Sequence, residues 1–265
     1  MKVFISVDIE GVSSVNLWSQ TEQGKFGYEE ASKQMSLEAA AACEGALRAG
    51  AEKIRVKDAH GTGCNIDGSL LPKGVELSRG FNGSPWSMVD TITDGFDAAV
   101  FVGYHCGAGK TGNPLCHTEE ASAVWVKING EKISEFHTGA WACASLGIPV
   151  VFVAGDADVC EDAKKAVSGI GTVPVKKGIG SVMTCLQPED ACDQIRDGVE
   201  KALGKLAEMP LIKIPEHFRM EVCYKEMAKA ARMSWFPGFR LEDDQTIVME
   251  TDRLMDVLTA LQWVM

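Results

Sequence analysis

The feature of this sequence that most limits its fold is the repeated alternation of short strand-like runs with helix-forming segments. Val3–Val7, Lys53–Lys57 and Ala98–Tyr104 have the length and the β-branched or apolar content of strands, and Tyr28–Ala49 is rich in Ala, Glu, Leu and Met. Strands that alternate with helices form parallel sheets whose faces the helices cover. We therefore predict an α/β fold with a mainly parallel sheet and helices on both faces.

A β-hairpin is predicted as an insertion in this layer. Ala123–Ser134 alternates between apolar and polar residues, and Asn129-Gly130 in its middle favours a type I′ turn. The segment Gly139–Leu146 that follows predicts a helix. The remaining predicted segments of the layer are a strand at Val75–Leu77, a short helical stretch at Trp86–Ile92, a strand at Ile148–Ala154 and a helix at Asp158–Val167.

Residues after Gly178 lose the regular alternation and predict a smaller α+β unit. Its predicted elements are a helix at Pro188–Glu208, a strand at Arg219–Tyr224, a helix at Lys225–Arg232, a strand at Gln245–Met249 and a helix at Asp252–Val264. We expect one domain at 1–178 and a second at 179–265. The closing helix is apolar enough to pack against another copy of the chain or, equally, against its own.

Composition and charge exclude several classes of partner. The chain has 265 residues, and its net charge of -11 would repel the phosphates of nucleic acids and anionic membrane surfaces. No apolar run approaches the roughly 18 residues of a membrane span, and the apolar run before Asp8 is too short for a signal peptide. We expect a cytoplasmic protein with neither nucleic-acid nor membrane partners. The 9 cysteines include no C-x-x-C pair, which argues against disulfides and a zinc ribbon.

Side chains that bind metals follow the predicted strands. Asp8 and Glu10 come after the first strand, His60 shortly after the second and His105 after the fourth, while Glu135 follows the hairpin. Singly, each has an ordinary explanation as a loop acid or as a capping or core histidine. Ligands of α/β proteins, however, gather at the carboxyl ends of parallel strands. A mixture of imidazoles and carboxylates suits zinc or a similar divalent ion, and this many ligands suits two ions better than one.

A second pattern favours a different function. The segment Gly107–Gly112 matches G-x-G-x-x-G after a strand and contains Gly-Lys-Thr, so a nucleotide-binding loop is an alternative. A P-loop, however, requires glycine where this chain has Tyr104, and Asn113-Pro114 would interrupt the helix that a dinucleotide fingerprint opens. We expect instead that these glycines let the backbone run close to the metal ligands.

Five short segments combine the candidate ligands with glycines: SVDIEG, KDAHG, GYHCGAGKTGNPLCHT, ISEFHTGA and PVVFVAGD. Together they resemble the M55 peptidase family of D-aminopeptidases, most strongly from residue 1 to about 157. The resemblance implies two zinc ions per chain, a preference for peptides of D-amino acids and a homo-oligomer, with a decamer as one expected size. It also assigns roles to residues: His117 takes part in catalysis, and the zinc ligands are Asp8, Glu10, His60, His105 and Glu135.

The function expected from the sequence is therefore a zinc-dependent aminopeptidase for short peptides, with the metal site in the domain at 1–178. Two metal ions would activate a water molecule, and His117 would act as nucleophile, general base or oxyanion stabiliser. A metal-dependent peptide-binding protein without turnover is the alternative. The sequence leaves open the choice between D- and L-residues and the roles of Cys106, Cys116 and His137.

Overall fold

The structure, a computed structural model, describes residues 1–265 and contains twelve β-strands and six α-helices. The strands are β1 (Lys2–Val7), β2 (Lys53–Asp58), β3 (Glu76–Ser78), β4 (Ala98–Tyr104), β5 (Ala123–Ile128), β6 (Glu131–Lys132), β7 (Val150–Asp156), β8 (Gly171–Ile179), β9 (Val182–Cys185), β10 (Phe218–Tyr224), β11 (Phe239–Leu241) and β12 (Thr246–Thr251). The helices are α1 (Tyr28–Arg48), α2 (Glu135–Ser145), α3 (Ala157–Ala166), α4 (Pro188–Leu203), α5 (Met227–Met233) and α6 (Leu254–Val264).

Seven strands form the first sheet, in the order β3-β2-β1-β4-β7-β8-β9. All neighbours are parallel except β9, which pairs antiparallel with β8. The strands β4 and β7 are buried along their whole length, as expected for strands covered on both faces. One face packs against α1 and α4, and the other against α2 and α3. The prediction of a mainly parallel α/β sheet is confirmed.

Five strands form a second, antiparallel sheet in the order β11-β12-β10-β5-β6. The hairpin β5–β6 turns at Asn129 and Gly130, whose φ angles of 53° and 86° are the positive values that a type I′ turn requires. The hairpin is therefore confirmed, but β5 also pairs with β10, far along the chain. The two sheets divide the chain differently from a boundary at residue 178. β5 and β6, before it, lie in the second sheet, whereas β9 and α4, after it, lie on the first.

The closing helix α6 packs within its own chain. Val257, Leu258, Leu261 and Val264 are buried in the core cluster that α6 shares with α2 and β10, whereas Trp263 is 63% exposed. Of the two expected explanations for its apolar surface, intramolecular packing therefore accounts for most of it. The helices of the protein are all too short or too polar to cross a lipid bilayer.

Helix α2 begins at Glu135, whereas the sequence predicted its start at Gly139. Ser134 is its N-cap residue, and the backbone N–H of Ser134 donates to Nδ1 of His137 at 3.1 Å. This reciprocal capping arrangement satisfies backbone groups that the first turn leaves open, so the helix starts four residues earlier than its apolar periodicity suggests. Glu135 is therefore the first residue of a helix, where the helix dipole favours a carboxylate.

Candidate metal centre

The candidate ligands converge at one edge of the first sheet. Asp8 and Glu10 follow β1, His60 follows β2, and His105 follows β4. These three strands are neighbours in the sheet, so their carboxyl ends open onto the same place. Glu135 reaches it from the start of α2. Asp8, Glu10, His60 and Glu135 line a cavity of about 580 Å³, and His105 is buried next to Glu135.

Asp8 lies at the centre of the cluster, and its two carboxylate oxygens face different residues. Its Oδ1 is 3.3 Å from His60 Nδ1, which lies 3.1 Å from Glu10 Oε2. Its Oδ2 is 3.5 Å from His105 Nε2, which lies 3.1 Å from Glu135 Oε2. The side chains of all five residues are at most 15% exposed. Asp8 is therefore shared between a Glu10–His60 half and a His105–Glu135 half.

Several buried polar atoms of the cluster have no hydrogen-bond partner. They are Oδ2 of Asp8, Oε2 of Glu10 and Nε2 of His105. Burying such atoms without partners costs free energy, and native proteins rarely do it without a compensating contact. Divalent cations held by these residues would supply that contact, so the donor set fits a metal site.

The three histidines of the site are held in the orientation that metal ligands require. His60 Nε2 donates to the carbonyl of Thr21 at 2.8 Å, which leaves Nδ1 facing the carboxylates. His105 Nδ1 and His117 Nδ1 donate to the carbonyls of Cys106 and Leu115, each at 2.9 Å, which leaves Nε2 free in both rings. A hydrogen bond on one ring nitrogen fixes the tautomer and makes the other nitrogen an electron-pair donor. This pattern was invisible in the sequence because the acceptors are backbone atoms.

Electrostatics show that the carboxylates attract positive charge. Burial, aided by the charge of Glu10, raises the pKa of Asp8 to about 7. Burial alone would lower the pKa of His60, yet Glu10 and Asp8 raise it to about 12. His105, also buried, has a pKa well above its ordinary value because of Glu135. The carboxylates therefore favour positive charge on the histidines. Protons and metal ions compete for the same nitrogen and oxygen atoms, so a bound divalent cation can provide this positive charge in place of the protons.

Two glycines allow the end of β1 to pack tightly against β4. A Cβ atom on Gly11 would lie 1.8 Å from the carbonyl oxygen of Tyr104, and one on Gly103 would lie 2.1 Å from that of Asp8. Gly103 also has a φ of 70°, in the left-handed region. The Gly11 N–H donates to the carbonyl of Gly103 at 2.7 Å. This close approach places Asp8 and Glu10 beside His105.

A buried polar network supports the backbone behind Glu10. The carbonyl of Glu10 accepts a hydrogen bond from Asn113 Nδ2 at 3.1 Å and another from Lys176 Nζ. Asn113 also donates to Asp156 Oδ2, which accepts the N–H of Cys106 at 2.8 Å. The network therefore fixes the chain at both Glu10 and Cys106, the residue after His105. None of these roles was predicted, because the network joins residues that lie far apart along the chain.

The glycine loop after β4 carries His117 back to the metal cluster. The segment 105–122 contains no helix, so it lacks the helix N-terminus on which a nucleotide-binding loop holds phosphate. Instead, His117 Nε2 lies 3.6 Å from Glu135 Oε1. Cys106 and Cys116, on either side of the loop, do not line the cavity. His137, which the sequence left open, caps α2 outside it.

Three further carboxylates line the cavity, at Glu22, Glu119 and Glu120. Glu119 is in direct contact with the cluster, because its backbone N–H donates to Glu135 Oε1 at 2.7 Å. Burial and the charge of Glu135 raise the pKa of Glu119 to about 8, and a nearby cation would lower it again. Glu119 was not predicted from the sequence, although its position two residues after His117 was a usable signal.

Comparisons with known proteins show the family of this chain. The family model described as peptidase M55, D-aminopeptidase, matches residues 1–263. A D-aminopeptidase of Bacillus subtilis (strain 168) is 27% identical over 249 residues, which cover 94% of this chain and 90% of that protein. The solved structure of the Zn-dependent D-aminopeptidase DppA from Bacillus subtilis, described as a self-compartmentalizing protease, superposes with a TM-score of 0.92 at 24% identity, covering 100% of this chain and 96% of the other. Since the family model spans nearly the whole sequence, this chain belongs to the M55 family of peptidases.

Proposed function

We propose that this protein is a zinc-dependent aminopeptidase that uses two metal ions to remove the amino-terminal residue of short peptides, with a preference for D-residues. The observation that carries the proposal is the orientation of His60, His105 and His117. In each ring one nitrogen donates a hydrogen bond to a backbone carbonyl, and the other nitrogen faces the carboxylates. Ordinary core histidines have no need of such an arrangement around unpartnered carboxylate oxygens.

The residues divide naturally between two ions. One ion would be held by Glu10, His60 and Oδ1 of Asp8, and the other by His105, Glu135 and Oδ2 of Asp8, so that Asp8 bridges them. Three protein ligands on each ion leave coordination positions for water and substrate, as catalytic zinc sites require. A non-catalytic binding protein would have less use for open positions.

The chemistry follows from the protein groups around the cluster. Bound zinc would lower the pKa of a water molecule and polarise the scissile carbonyl. His117 would move the proton: because its Nδ1–H donates to Leu115, its Nε2 has the lone pair that accepts a proton from the attacking water. The same Nε2–H would then donate that proton to the departing amino group. We therefore favour general base catalysis by His117 over oxyanion stabilisation.

The substrate class rests on the relatives. The Bacillus subtilis proteins are named D-aminopeptidases, and one is described as zinc-dependent. The cavity of this chain, of about 580 Å³, is large enough for a short peptide. We propose di- and tripeptides with a D-residue at the amino end as substrates.

Self-association is part of the proposal. The solved relative is described as self-compartmentalizing. In this chain the turn between β8 and β9 exposes Ile179 (79%) and Val182 (71%), which line an apolar surface pocket. Exposed apolar groups of this kind are typical of contacts between subunits. We propose a homo-oligomer, with ten subunits as the number to test by light scattering.

The proposal is tested by zinc content and turnover together. Untagged protein purified without chelator should contain two zinc ions per chain and should release free amino acid from D-alanyl dipeptides faster than from their L-isomers. A chelator should abolish the activity, and added zinc should restore it. Metal binding without any turnover on this panel would instead support a peptide-binding protein, and protein that neither contains nor takes up zinc would refute the proposal.

A further inference from the structure

One carboxylate in the cavity has no assigned partner. Of the three acids outside the candidate ligands, Glu22 is exposed to solvent, and Glu120 pairs with Lys229 of helix α5. Glu119 pairs with no lysine, arginine or histidine, and its only side-chain hydrogen bond is a long one of 3.5 Å from Ser87 Oγ to Oε2. A partly buried carboxylate without a cation is costly unless a ligand supplies the missing charge.

The backbone of Glu119 is held in place by a hydrogen bond to a candidate metal ligand. Its N–H donates to Glu135 Oε1 at 2.7 Å, so the residue is tied to one of the candidate ligands. Its side chain lies in the same cavity as Asp8 and Glu135. A group bound at Glu119 would therefore lie directly beside the scissile bond of a substrate held at the cluster.

The backbone at this place is held in an unfavourable conformation. Glu119 has a φ of 64° and its partner Ser87 a φ of 44°, both in the left-handed region that non-glycine residues usually avoid. Such conformations persist where the surrounding structure imposes them, and they concentrate at ligand-binding sites. Here two of them meet across one hydrogen bond in the cavity wall.

We propose that Glu119 binds the α-ammonium group of the substrate's amino-terminal residue and thereby restricts the enzyme to peptides with a free amino end. The inference rests on the proposed aminopeptidase function. Only the α-carbon separates that ammonium group from the scissile carbonyl, so the group that recognises it must stand next to the metal ligands, as Glu119 does.

The same contact would make the enzyme select peptides with a free amino end over acylated or deaminated ones. A substrate ammonium would form a charge-assisted hydrogen bond with Glu119, whereas an acylated or deaminated peptide would leave the carboxylate without a partner. A site built around a buried polar group rejects ligands that lack the complementary group more strongly than an apolar pocket can. Glu119 is thus a specificity-determining residue for the terminal amino group.

The test compares the Glu119→Gln variant with wild type on two ligands. D-alanyl-D-alanine carries the amino group, and propionyl-D-alanine is the same molecule without it. For D-alanyl-D-alanine the variant should lose about tenfold to hundredfold in kcat/KM, mainly through a higher KM, as expected for the loss of one hydrogen bond to a charged group. For propionyl-D-alanine it should equal or exceed wild type. Zinc content should not change, and Glu22→Gln, at the exposed acid of the same cavity, should behave as wild type.

Binding is measured beside turnover so that the two proposals can fail separately. Both ligands are titrated calorimetrically into zinc-loaded His117→Ala protein, with and without Glu119→Gln. Preference for the amino-bearing ligand that disappears with Glu119→Gln supports the role of Glu119 even if the wild type hydrolyses nothing, an outcome that would refute only the aminopeptidase proposal. If Glu119→Gln lowers the affinity for both ligands equally, or for neither, the role of Glu119 is overturned.

Discussion

The imidazole rings of His105 and His117 are stacked, with centroids 4.3 Å apart and planes inclined by 15°. The glycine loop between them brings His117 back next to His105, so both rings face Glu135. Their burial differs, because the His105 side chain is fully covered whereas that of His117 is 12% exposed. The more accessible ring is the better placed to exchange protons with a substrate.

The first prediction concerns this accessible ring. His117→Ala should reduce kcat by roughly 10²–10⁴-fold, the usual contribution of a general acid–base group. Bound zinc should remain at the wild-type level, because the proposed ligands are untouched. Steady-state kinetics and metal analysis measure the two quantities. His217→Ala, at an exposed histidine paired with Asp252, is the matched control and should leave both unchanged. Near-normal kcat in His117→Ala would contradict the assigned role.

A second prediction follows from the central position of Asp8. Because its two oxygens face different halves of the cluster, Asp8→Asn should weaken binding of both metal ions. Glu10→Gln should weaken only the ion on the His60 side. Zinc titration monitored by calorimetry should therefore show two weakened sites in the first variant and one in the second. The same zinc-binding isotherm for both variants would argue against a bridging Asp8.

The close packing of β1 on β4 makes a third prediction. Gly11→Ala would place a methyl group 1.8 Å from the carbonyl oxygen of Tyr104, so the backbone must move. We expect a loss of about 1–3 kcal/mol in the free energy of unfolding, typical of overpacking, and weaker zinc binding. Urea denaturation measures the first effect. Gly204→Ala is the control, because a Cβ there meets nothing closer than 3.5 Å and φ is -62°; an equal loss in the control would contradict this explanation.

A fourth prediction concerns pH and lies away from the metal ligands. Burial raises the pKa of Glu38 on helix α1 from 4.5 to about 7, although hydrogen bonds from Ser13 and Gln34 oppose the shift. The folded state therefore binds a proton that the unfolded state releases. This contribution to stability is complete below pH 4.5 and is lost as pH rises toward 7.

The measurement for Glu38 is a comparison with Glu38→Gln, which cannot titrate. Between pH 5 and pH 8, the free energy of unfolding of metal-free wild type should fall relative to the variant by a few kcal/mol. Taking the difference between the two proteins cancels the titration of all other groups. A difference that stays constant with pH would show that Glu38 keeps an ordinary pKa.

The sequence predicted the parallel sheet well because its strands carry their own signal. β4 and β7 are apolar except for Asp156 at the end of β7, and α1 ends at Arg48, one residue from its predicted end. The hairpin β8–β9 was missed, since Pro174 and two lysines break the apolar run in β8. The pairing of β5 with β10 was missed for a different reason: contacts between distant segments leave no local pattern.

The site shows the same difference between features that a local sequence pattern predicts and contacts that form only in the folded chain. Asp8, Glu10, His60, His105 and Glu135 were placed by the strand-end rule and the family resemblance, and the structure brings them together with His117. Backbone acceptors such as Thr21 and Leu115 could not be predicted, because any residue offers a carbonyl. The role of Asn113 depends on three-dimensional packing that no spacing along the chain reveals.

The pairing of β5 with β10 also affects how the protein is made. Met220 and Val222 of β10 are the partners of Ile128 and Val126, and the other neighbour of β5 is only the two-residue strand β6. During synthesis, β5 and the adjoining start of α2 emerge from the ribosome well before β10. Until β10 is translated, one edge of β5 stays open to non-native pairing. Completion of the Glu135 side of the cavity is therefore expected only once β10 is available, and a chain truncated at residue 178 should lack it.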